Sequence, residues 1–262
     1  MNATQPIQET VPSTLLEGQW SKIYGYLLEH PRAYAGREQK CLRFIEAVAW
    51  MARAGCPWRM LPASYGNWNS IYKRFARWCD NGVWADLHKA LLDEPDMRWG
   101  LIDSTIVRAH ACAAGAPKKG GQASQALGRS RGGFSTKINI LTDSSGRPVM
   151  FILSPGQQSD IISAYDLVAA SGFETYICDK GYDSNDFIDF VDLVGSSTII
   201  PPRSNRKSPR EYDKQLYKLR HQIECFIGKL KHFRRAFSRF DKLSCRYHGF
   251  LSLAAVFIQG RL

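Results

Sequence analysis

LIDSTIV, residues 101–107, is an apolar run with β-branched residues, interrupted by one acid, Asp103. Such a run favours a β-strand. A carboxylate is costly to bury there unless another group relieves its charge. A second acid, Asp179, follows the apolar stretch TYIC (175–178), and a strand beside the first would bring the two acids together. The sequence therefore predicts paired acids inside a sheet.

Strands and helices alternate outward from this run. Further strands are predicted over 137–142, 148–153, 175–179 and 198–201, and helices over 160–170, 184–194 and 211–235. The turn at 143–146 indicates that the second and third strands form an antiparallel hairpin. The order βββαβαβα predicts an α/β fold in which helices cover a mixed sheet.

A third acid, Glu224, lies on the last of these helices. It stands among many cations, beside an apolar stripe at helical spacing that includes Ile223, Phe226 and Leu230. Such an acid is either the centre of ion pairs or a metal ligand. If Asp103, Asp179 and Glu224 converge, their oxygens suit Mg²⁺ or Mn²⁺ better than zinc. Two such ions would support phosphoryl transfer.

The first hundred residues show helical periodicity and many aromatic residues. One amphipathic helix is predicted around Trp68–Trp78, with Lys73, Arg74 and Arg77 away from its aromatic stripe. Its charge and amphipathicity resemble those of a helix-turn-helix reader of DNA. The alternative is a surface helix of a small bundle, since cations are common on solvent faces.

Basic residues are concentrated near the C-terminus. Of the formal net charge of +11, residues 200–247 carry +10, from 14 Lys and Arg against four acids. Nucleic acid is the polyanion best able to use such a block, and a solvated basic face is the alternative. A glycine-rich stretch, 115–133, is also basic and lacks acids. It predicts either a loop that follows a phosphate backbone or a mobile insertion.

Other features narrow the class of protein. The 262 residues with 44% hydrophobic content allow one or two folded domains. No apolar run approaches a membrane span and the N-terminus lacks a secretory pattern, so we expect a cytoplasmic protein. Seven scattered cysteines without a CxxC pair predict reduced thiols. Zinc ligation by His221, Cys225, Cys245 and His248 is a minor alternative.

Five segments in order resemble bacterial insertion-sequence transposases of the IS5 family, which are of the DDE type. They are GCPWRMLPASYGNW (55–68), LIDSTIVRAHACAAGA (101–116), LGRSRGGFSTKI (127–138), CDKGYDS (178–184) and YKLRHQIECFIGKLKHFRR (217–235). The last contains Tyr217-x2-Arg220-x3-Glu224-x6-Lys231, which matches the family's Y-x2-R-x3-E-x6-K signature. The resemblance extends from about Leu16 to Ala255.

The resemblance implies roles for individual residues. Asp103, Asp179 and Glu224 would be the catalytic, metal-binding triad, holding two Mg²⁺ or Mn²⁺ ions. DNA contacts are expected from two groups of residues. The first is Tyr217, Arg220, Lys229 and Lys231 on the signature helix, and the second is Arg129, Arg131 and Lys137 near the glycine-rich stretch. Lys73, Arg74 and Arg77 would add contacts from the N-terminal region.

The resemblance also implies an organisation and an activity. It predicts a helical N-terminal domain that binds DNA ends (15–98) and an RNase H-like catalytic domain (99–262) with a basic insertion at about 115–133. Residues 1–14 lie outside the resemblance, and we expect them to form a flexible tail. The protein would cleave at insertion-sequence ends and transfer the 3′-OH strand into target DNA, acting on the nucleoid as a dimer or larger oligomer. The alternatives are an RNase H-like nuclease and a non-catalytic, transposase-derived DNA-binding protein.

Overall fold

A computed structural model describes residues 17–92, 94–114, 125–130 and 132–260. The predicted tail at 1–14 and much of the basic insertion lie outside these ranges. Four helices come first: α1 (Glu17–Glu29), α2 (Glu38–Ala54), α3 (Trp68–Asp80) and α4 (Val83–Ala90). Helix α3 begins where the Asn67 side chain accepts hydrogen bonds from the backbone N–H groups of Asn69 and Ser70. The predicted helical N-terminal region is confirmed.

The described residues then form a six-stranded mixed sheet. Its strands are β1 (Trp99–Arg108), β2 (Gly128–Ser130), β3 (Gly133–Thr142), β4 (Pro148–Pro155), β5 (Thr175–Cys178) and β6 (Ser197–Ile199). Strand β3 pairs antiparallel with β1, β2 and β4, whereas β5 lies parallel between β1 and β6. Helices α5 (Asp160–Ala169) and α6 (Asn185–Leu193) lie between β4, β5 and β6 in the chain. The α/β fold class is confirmed, and the short β2 is an addition within the predicted insertion.

The alternation of side chains along the strands supplies two hydrophobic cores. On one face, Leu101 and Ile177 pack with the N-terminal helices and the C-terminal part of the chain. On the other, Ile102 and Cys178 pack with α5 and α6. The helical region therefore shares a core with one face of the sheet, and a domain boundary between 98 and 99 stays a prediction.

The single long helix predicted over 211–235 is wrong. The Asp213 carboxylate accepts hydrogen bonds from two backbone N–H groups and starts a 3₁₀ turn at Leu216–Arg220. Helix α7 (His221–Leu230) follows, and the short α8 (Arg234–Phe237) is separated from it by Phe233 in an extended conformation. After the bend, the buried Arg235 side chain donates to the Cys56 carbonyl and pairs with Asp241.

A last helix, α9 (Ser244–Gln259), was not predicted. Its side chains are buried over almost the whole of 247–258, and it packs against α2, α3, α4, α7 and β4. Because α9 is apolar on all sides, it lacks the one-sided periodicity that reveals a surface helix. No helix within the described ranges is long and apolar enough to cross a membrane.

Candidate active site

The sheet places Asp103 beside Asp179. Parallel strands β1 and β5 pair Leu101 with Ile177 and Ile102 with Cys178, so the next position in register joins the two acids. Side chains alternate along a strand, and Leu101 and Ile177 share the face that packs on α7. Asp103 and Asp179 therefore lie on that same face, at the end of β5. The predicted proximity of these two acids agrees with the strand register.

A tight turn fixes Asp179 after β5. Its carboxylate accepts a hydrogen bond from the Gly181 backbone N–H at 2.7 Å, and the chain enters a 3₁₀ turn at Lys180–Tyr182. A Cβ atom at Gly181 would lie 2.8 Å from the Asp179 Oδ1 atom. Residue 181 therefore has no room for a side chain unless Asp179 moves.

Arg220 joins Glu224 to this edge of the sheet. Its guanidinium donates to Asp103 Oδ2 at 2.9 Å and to Glu224 Oε1 at 2.5 Å. The Arg220 and Asp103 side chains are mostly buried, with 18% and 15% exposed, whereas Glu224 is half exposed. Glu224 therefore takes part in an ion pair, as the first interpretation of this acid predicts, and Arg220 connects it to Asp103, one of the other predicted metal ligands.

The charges at this edge are only partly compensated. Burial raises the pKa of Asp103, Arg220 opposes that shift, and the neighbouring charges of Asp179 and Glu224 raise the pKa further. Burial lowers the pKa of Arg220, but Asp103 and the other nearby acids outweigh it and leave that pKa raised. Three carboxylates therefore act on one another around a single guanidinium.

This donor set fits a hard divalent cation. All three acids offer oxygen ligands, and a cation would relieve the charge that makes Asp103 costly to bury. In the described ranges, no three His, Cys, Asp or Glu side chains already converge on one metal position. Arg220 bridges Asp103 and Glu224 instead.

Tyr217, Lys229 and Lys231 lie on or next to α7, near Glu224 in the sequence. Tyr217 is half-buried, with its ring edge-on to Tyr212 at 5.5 Å between centroids. Lys231 is exposed, and its ammonium lies 5.3 Å from the centre of the Phe237 ring. Lys229 is exposed and lines a cavity of about 460 Å³ next to α9. Both lysines remain accessible to a polyanion.

Lys137 is a correction to the predicted DNA contacts. Its side chain in β3 is 7% exposed, and its ammonium forms an ion pair with Asp160 at the start of α5. It also donates to the Gln158 carbonyl. Lys137 thus ties the sheet to α5 and is not presented to DNA. Arg129 is exposed on β2, whereas Arg131 lies outside the described residues.

Arg74 is a second correction. Its guanidinium lies 4.1 Å from the Phe44 ring centre and 4.9 Å from that of Trp78, and it donates to the carbonyls of Tyr34 and Ala35. Burial lowers the pKa of Arg74. It therefore stabilises the helical region from within.

The other two cations predicted on α3 are exposed. Lys73 and Arg77 line a shallow pocket of about 330 Å³ together with Arg32 and Tyr34. Their position keeps a role in binding phosphate open.

Sequence reasoning missed three arginines on the loop between β6 and the 3₁₀ turn at Leu216–Arg220. Arg203 donates to the Lys180 and Gly181 carbonyls, immediately after Asp179. Arg206 and Arg210 both donate to Asn185 at the start of α6. The signal was the basic stretch PPRSNRKSPR (201–210), which lies in the basic block 200–247 expected to meet nucleic acid, although none of its arginines was singled out as a DNA contact.

An RNase H-like sheet with two acids on adjacent strands and a third on a covering helix defines the class of DDE enzymes. Comparison with known families agrees. A family described as "Transposase DDE domain" matches residues 94–248. A second, "Putative transposase of IS4/5 family", matches residues 15–88. The chain belongs to the DDE transposases of insertion sequences, consistent with the IS5 family.

Two relatives align with parts of the chain. The "Uncharacterized protein y4sN" of Sinorhizobium fredii is 39% identical over 109 residues, which are 41% of this chain and 87% of the relative. The "Putative transposase for insertion sequence element IS6501" of Brucella ovis is 33% identical over 127 residues, which are 48% of this chain and 98% of the relative. Both relatives are therefore much shorter than this chain.

Solved structures give a more distant likeness. A piggyBac transposase in a synaptic complex with hairpin DNA aligns at 10% identity and a TM-score of 0.47, covering 92% of this chain and 71% of that one. A Mos1 pre-cleavage transpososome aligns at 10% identity and a TM-score of 0.27, covering 83% and 77%. At these scores the likeness carries no argument about function.

Proposed function

We propose that this transposase cleaves DNA at the ends of its insertion sequence and joins the freed 3′-OH strand to target DNA. One observation carries the proposal: Asp103 and Asp179 adjoin in the sheet, and Arg220 connects Asp103 to Glu224 on the covering helix. A protein that only bound DNA would not need a buried strand acid whose pKa burial raises.

Asp103, Asp179 and Glu224 are the residues proposed to hold two Mg²⁺ or Mn²⁺ ions. Transposases with this domain generally use divalent metal ions. Bound at these carboxylates, such ions supply activation of an attacking hydroxyl and stabilisation of the leaving oxygen in an in-line phosphoryl transfer.

The chain's own residues bind and orient the substrate. Arg220 exchanges one of its carboxylate partners for a phosphate of the bound DNA, since a guanidinium binds either group with paired hydrogen bonds. Exposed Lys229 and Lys231 hold neighbouring phosphates, and half-buried Tyr217 packs beside Arg220. Arg129 and Arg131 extend this contact along the basic insertion.

The N-terminal region is proposed to hold the element end. Residues 15–98 would act as the DNA-end-binding part, with Lys73 and Arg77 on α3 touching phosphates. Residues 99–262 would carry the chemistry. Two or more copies would bring two element ends together on target DNA.

The proposal is tested by strand transfer in vitro. The full chain is incubated with a labelled duplex that ends in its own element's sequence, a supercoiled target and Mg²⁺ or Mn²⁺. Wild type should give joined product that depends on the metal, and Glu224→Gln should give none. Glu211→Gln, an exposed acid outside the site, is the matched control and should join like wild type.

The other outcomes separate the alternatives. Cleavage without joining identifies an RNase H-like nuclease. Tight binding without either reaction identifies a DNA-binding protein that has lost its chemistry. Equal joining by wild type and Glu224→Gln contradicts the assigned triad.

A further inference from the structure

Three arginines lie on the loop after β6, beside α6 and the turn that follows Asp179. The Arg203 guanidinium donates to the Lys180 carbonyl at 3.2 Å and to the Gly181 carbonyl at 2.6 Å. Lys180 and Gly181 directly follow Asp179, so this arginine lies at the edge of the candidate active site. Arg206 and Arg210 continue the row toward Asn185 of α6. We call Arg203, Arg206 and Arg210 the arginine cluster.

The cluster is held in place before any ligand binds. Asn185 Oδ1 accepts from Arg206 Nη1 at 3.0 Å, from Arg206 Nη2 at 2.5 Å and from Arg210 Nη2 at 3.1 Å. Asp183, whose side chain is 3% exposed, pairs with Arg206 at 3.1 Å and accepts from the Arg203 backbone N–H. These contacts fix guanidinium groups that would otherwise be costly to order on binding.

The charge of the cluster is not balanced. In the part of the chain that the structure describes, Asp183 is the one carboxylate in ion-pair contact with these three cations. Three fixed cations against one paired acid give this loop a net positive charge of its own.

The guanidinium groups are not sealed from solvent. Arg203 is exposed, and Arg206 and Arg210 are partly exposed. Guanidinium forks match phosphate oxygens, and such charge-assisted pairs are among the strong hydrogen bonds of proteins. The ligand chemistry that completes this site is a phosphodiester.

The position of the cluster indicates which DNA it meets. The N-terminal helices and α7 pack on one face of the sheet, whereas α6 and Asn185 belong to the opposite layer. An element end held by the N-terminal region would therefore approach from the α7 side. Joining requires a second DNA segment at the same carboxylates. The cluster adjoins the site at the turn after Asp179, through Arg203, and extends from there toward α6.

We propose that the arginine cluster binds backbone phosphates of target DNA during strand transfer. This inference rests on the proposed function, because it assigns a second DNA segment to the same site. Arg210 is the residue to change, since its only described hydrogen bond is to Asn185 and its loss leaves the Asp183 pair intact. Lys207 is an exposed cation in the same loop, outside the cluster, and is the matched control.

The test compares Arg210→Gln, Arg210→Lys and Lys207→Gln in the full chain. Arg210→Gln should reduce joining to a supercoiled target by roughly tenfold, the effect of one lost charge-assisted contact, and leave end cleavage within about twofold of wild type. Arg210→Lys should fall between, because lysine keeps the charge but loses the fork. Lys207→Gln should join like wild type.

Three results would overturn the inference. Equal losses of cleavage and joining in Arg210→Gln would make Arg210 a positioning residue for the carboxylates. If Arg210→Gln and Lys207→Gln reduce joining equally, the loop acts only through its overall positive charge and the cluster is not a specific site. The third result comes from binding to a plain duplex without an element end. There, Arg210→Gln should lower the salt dependence of the binding constant by about one released counterion. An unchanged salt dependence would contradict a phosphate contact at Arg210.

The binding measurement also keeps the two proposals apart. If wild type neither cleaves nor joins, the proposed function fails, and the cluster is then judged on plain-duplex binding alone.

Discussion

Charged groups are paired differently in two regions of the molecule. One is the edge of the sheet that holds Asp103, Asp179 and Glu224, which we call the carboxylate edge, and the other is the layer of helices α1–α4 and α9, which we call the helical layer. In the helical layer, two arginines have matched partners: Arg246 pairs with Asp80 through two nitrogens at 2.6 and 2.8 Å, and Arg74 lies over aromatic rings. At the carboxylate edge, the charges of Asp103, Asp179 and Glu224 act on one another around Arg220. The first arrangement stabilises the fold, whereas the second leaves carboxylate charge that the proposed chemistry would use.

The largest expected effect is at Asp103. Replacing it by asparagine should reduce cleavage and joining by roughly 10³-fold, since metal-ion catalysis supplies several kcal/mol of transition-state stabilisation. The melting temperature at neutral pH should be unchanged or higher, because burial disfavours the ionised carboxylate. That gain should disappear in acid, where Asp103 is protonated in both the folded and unfolded states. If Asp103→Asn loses activity and also lowers the melting temperature, Asp103 stabilises the fold, and the distinction between the two regions fails.

The second effect belongs to the helical layer and depends on pH. Burial lowers the pKa of His88 from 6.5 to about 4, although its Nε2 atom lies 2.9 Å from the Pro148 carbonyl of β4. A lowered histidine pKa means that the unfolded state binds the proton first, so stability present above pH 6.5 is lost as pH falls toward 4. The free energy of unfolding of wild type relative to His88→Gln should fall by about 3 kcal/mol between pH 7 and 4.

Denaturant unfolding at several pH values measures this difference. His232→Gln, at an exposed histidine after α7, is the matched control substitution. If the difference in free energy of unfolding between wild type and His88→Gln does not change with pH, α4 and β4 are not joined through a buried neutral histidine.

The third effect returns to the edge. Arg220→Gln removes the cation between Asp103 and Glu224, so Mn²⁺ should bind more tightly while joining falls by roughly 30-fold, the loss of one phosphate contact in the transition state. Electron paramagnetic resonance of Mn²⁺ and the strand-transfer reaction measure the two quantities. Arg220→Lys should restore part of the activity. Weaker Mn²⁺ binding in Arg220→Gln would mean that Arg220 orders the ligands and does not compete with the metal.

The smallest effects separate neighbouring cations of α3. Arg74→Gln should lower the free energy of unfolding by about 1–3 kcal/mol, because buried carbonyls and aromatic faces lose their partner. It should leave DNA affinity intact. Lys73→Gln should leave stability within about 0.5 kcal/mol of wild type and lower the salt dependence of DNA binding by about one counterion. If Arg74→Gln and Lys73→Gln change DNA binding equally, the two cations do not have the separate roles assigned to them.

The two acids at the edge of the sheet can be predicted from the sequence because a charged side chain is costly within an apolar strand. A single acid within LIDSTIV and another after TYIC are improbable without a partner, and strand periodicity then sets the face that both share. Glu224 follows from helical spacing beside the buried Ile223 and Phe226. Its assignment as a metal ligand stays a prediction.

Local patterns were weaker where distant contacts decide. Helical spacing places Arg74 off the aromatic stripe but does not show that Phe44 of α2 covers it. Lys137 looks accessible until Asp160 of α5 pairs with it. The helix ends after Leu230, and beyond it Arg235 donates to the Cys56 carbonyl, a contact that the periodicity of 211–235 does not predict. Each of these depends on a partner that is remote in the chain.

The central claim is that Asp103, Asp179 and Glu224 form one divalent-metal site, and Mn²⁺ binding tests it most directly. Electron paramagnetic resonance of the full chain with an element-end duplex should show about two bound ions. Asp103→Asn, Asp179→Asn and Glu224→Gln should each lose binding, and the exposed Asp186→Asn should not. Undiminished Mn²⁺ binding in Asp179→Asn or Glu224→Gln would contradict the shared site.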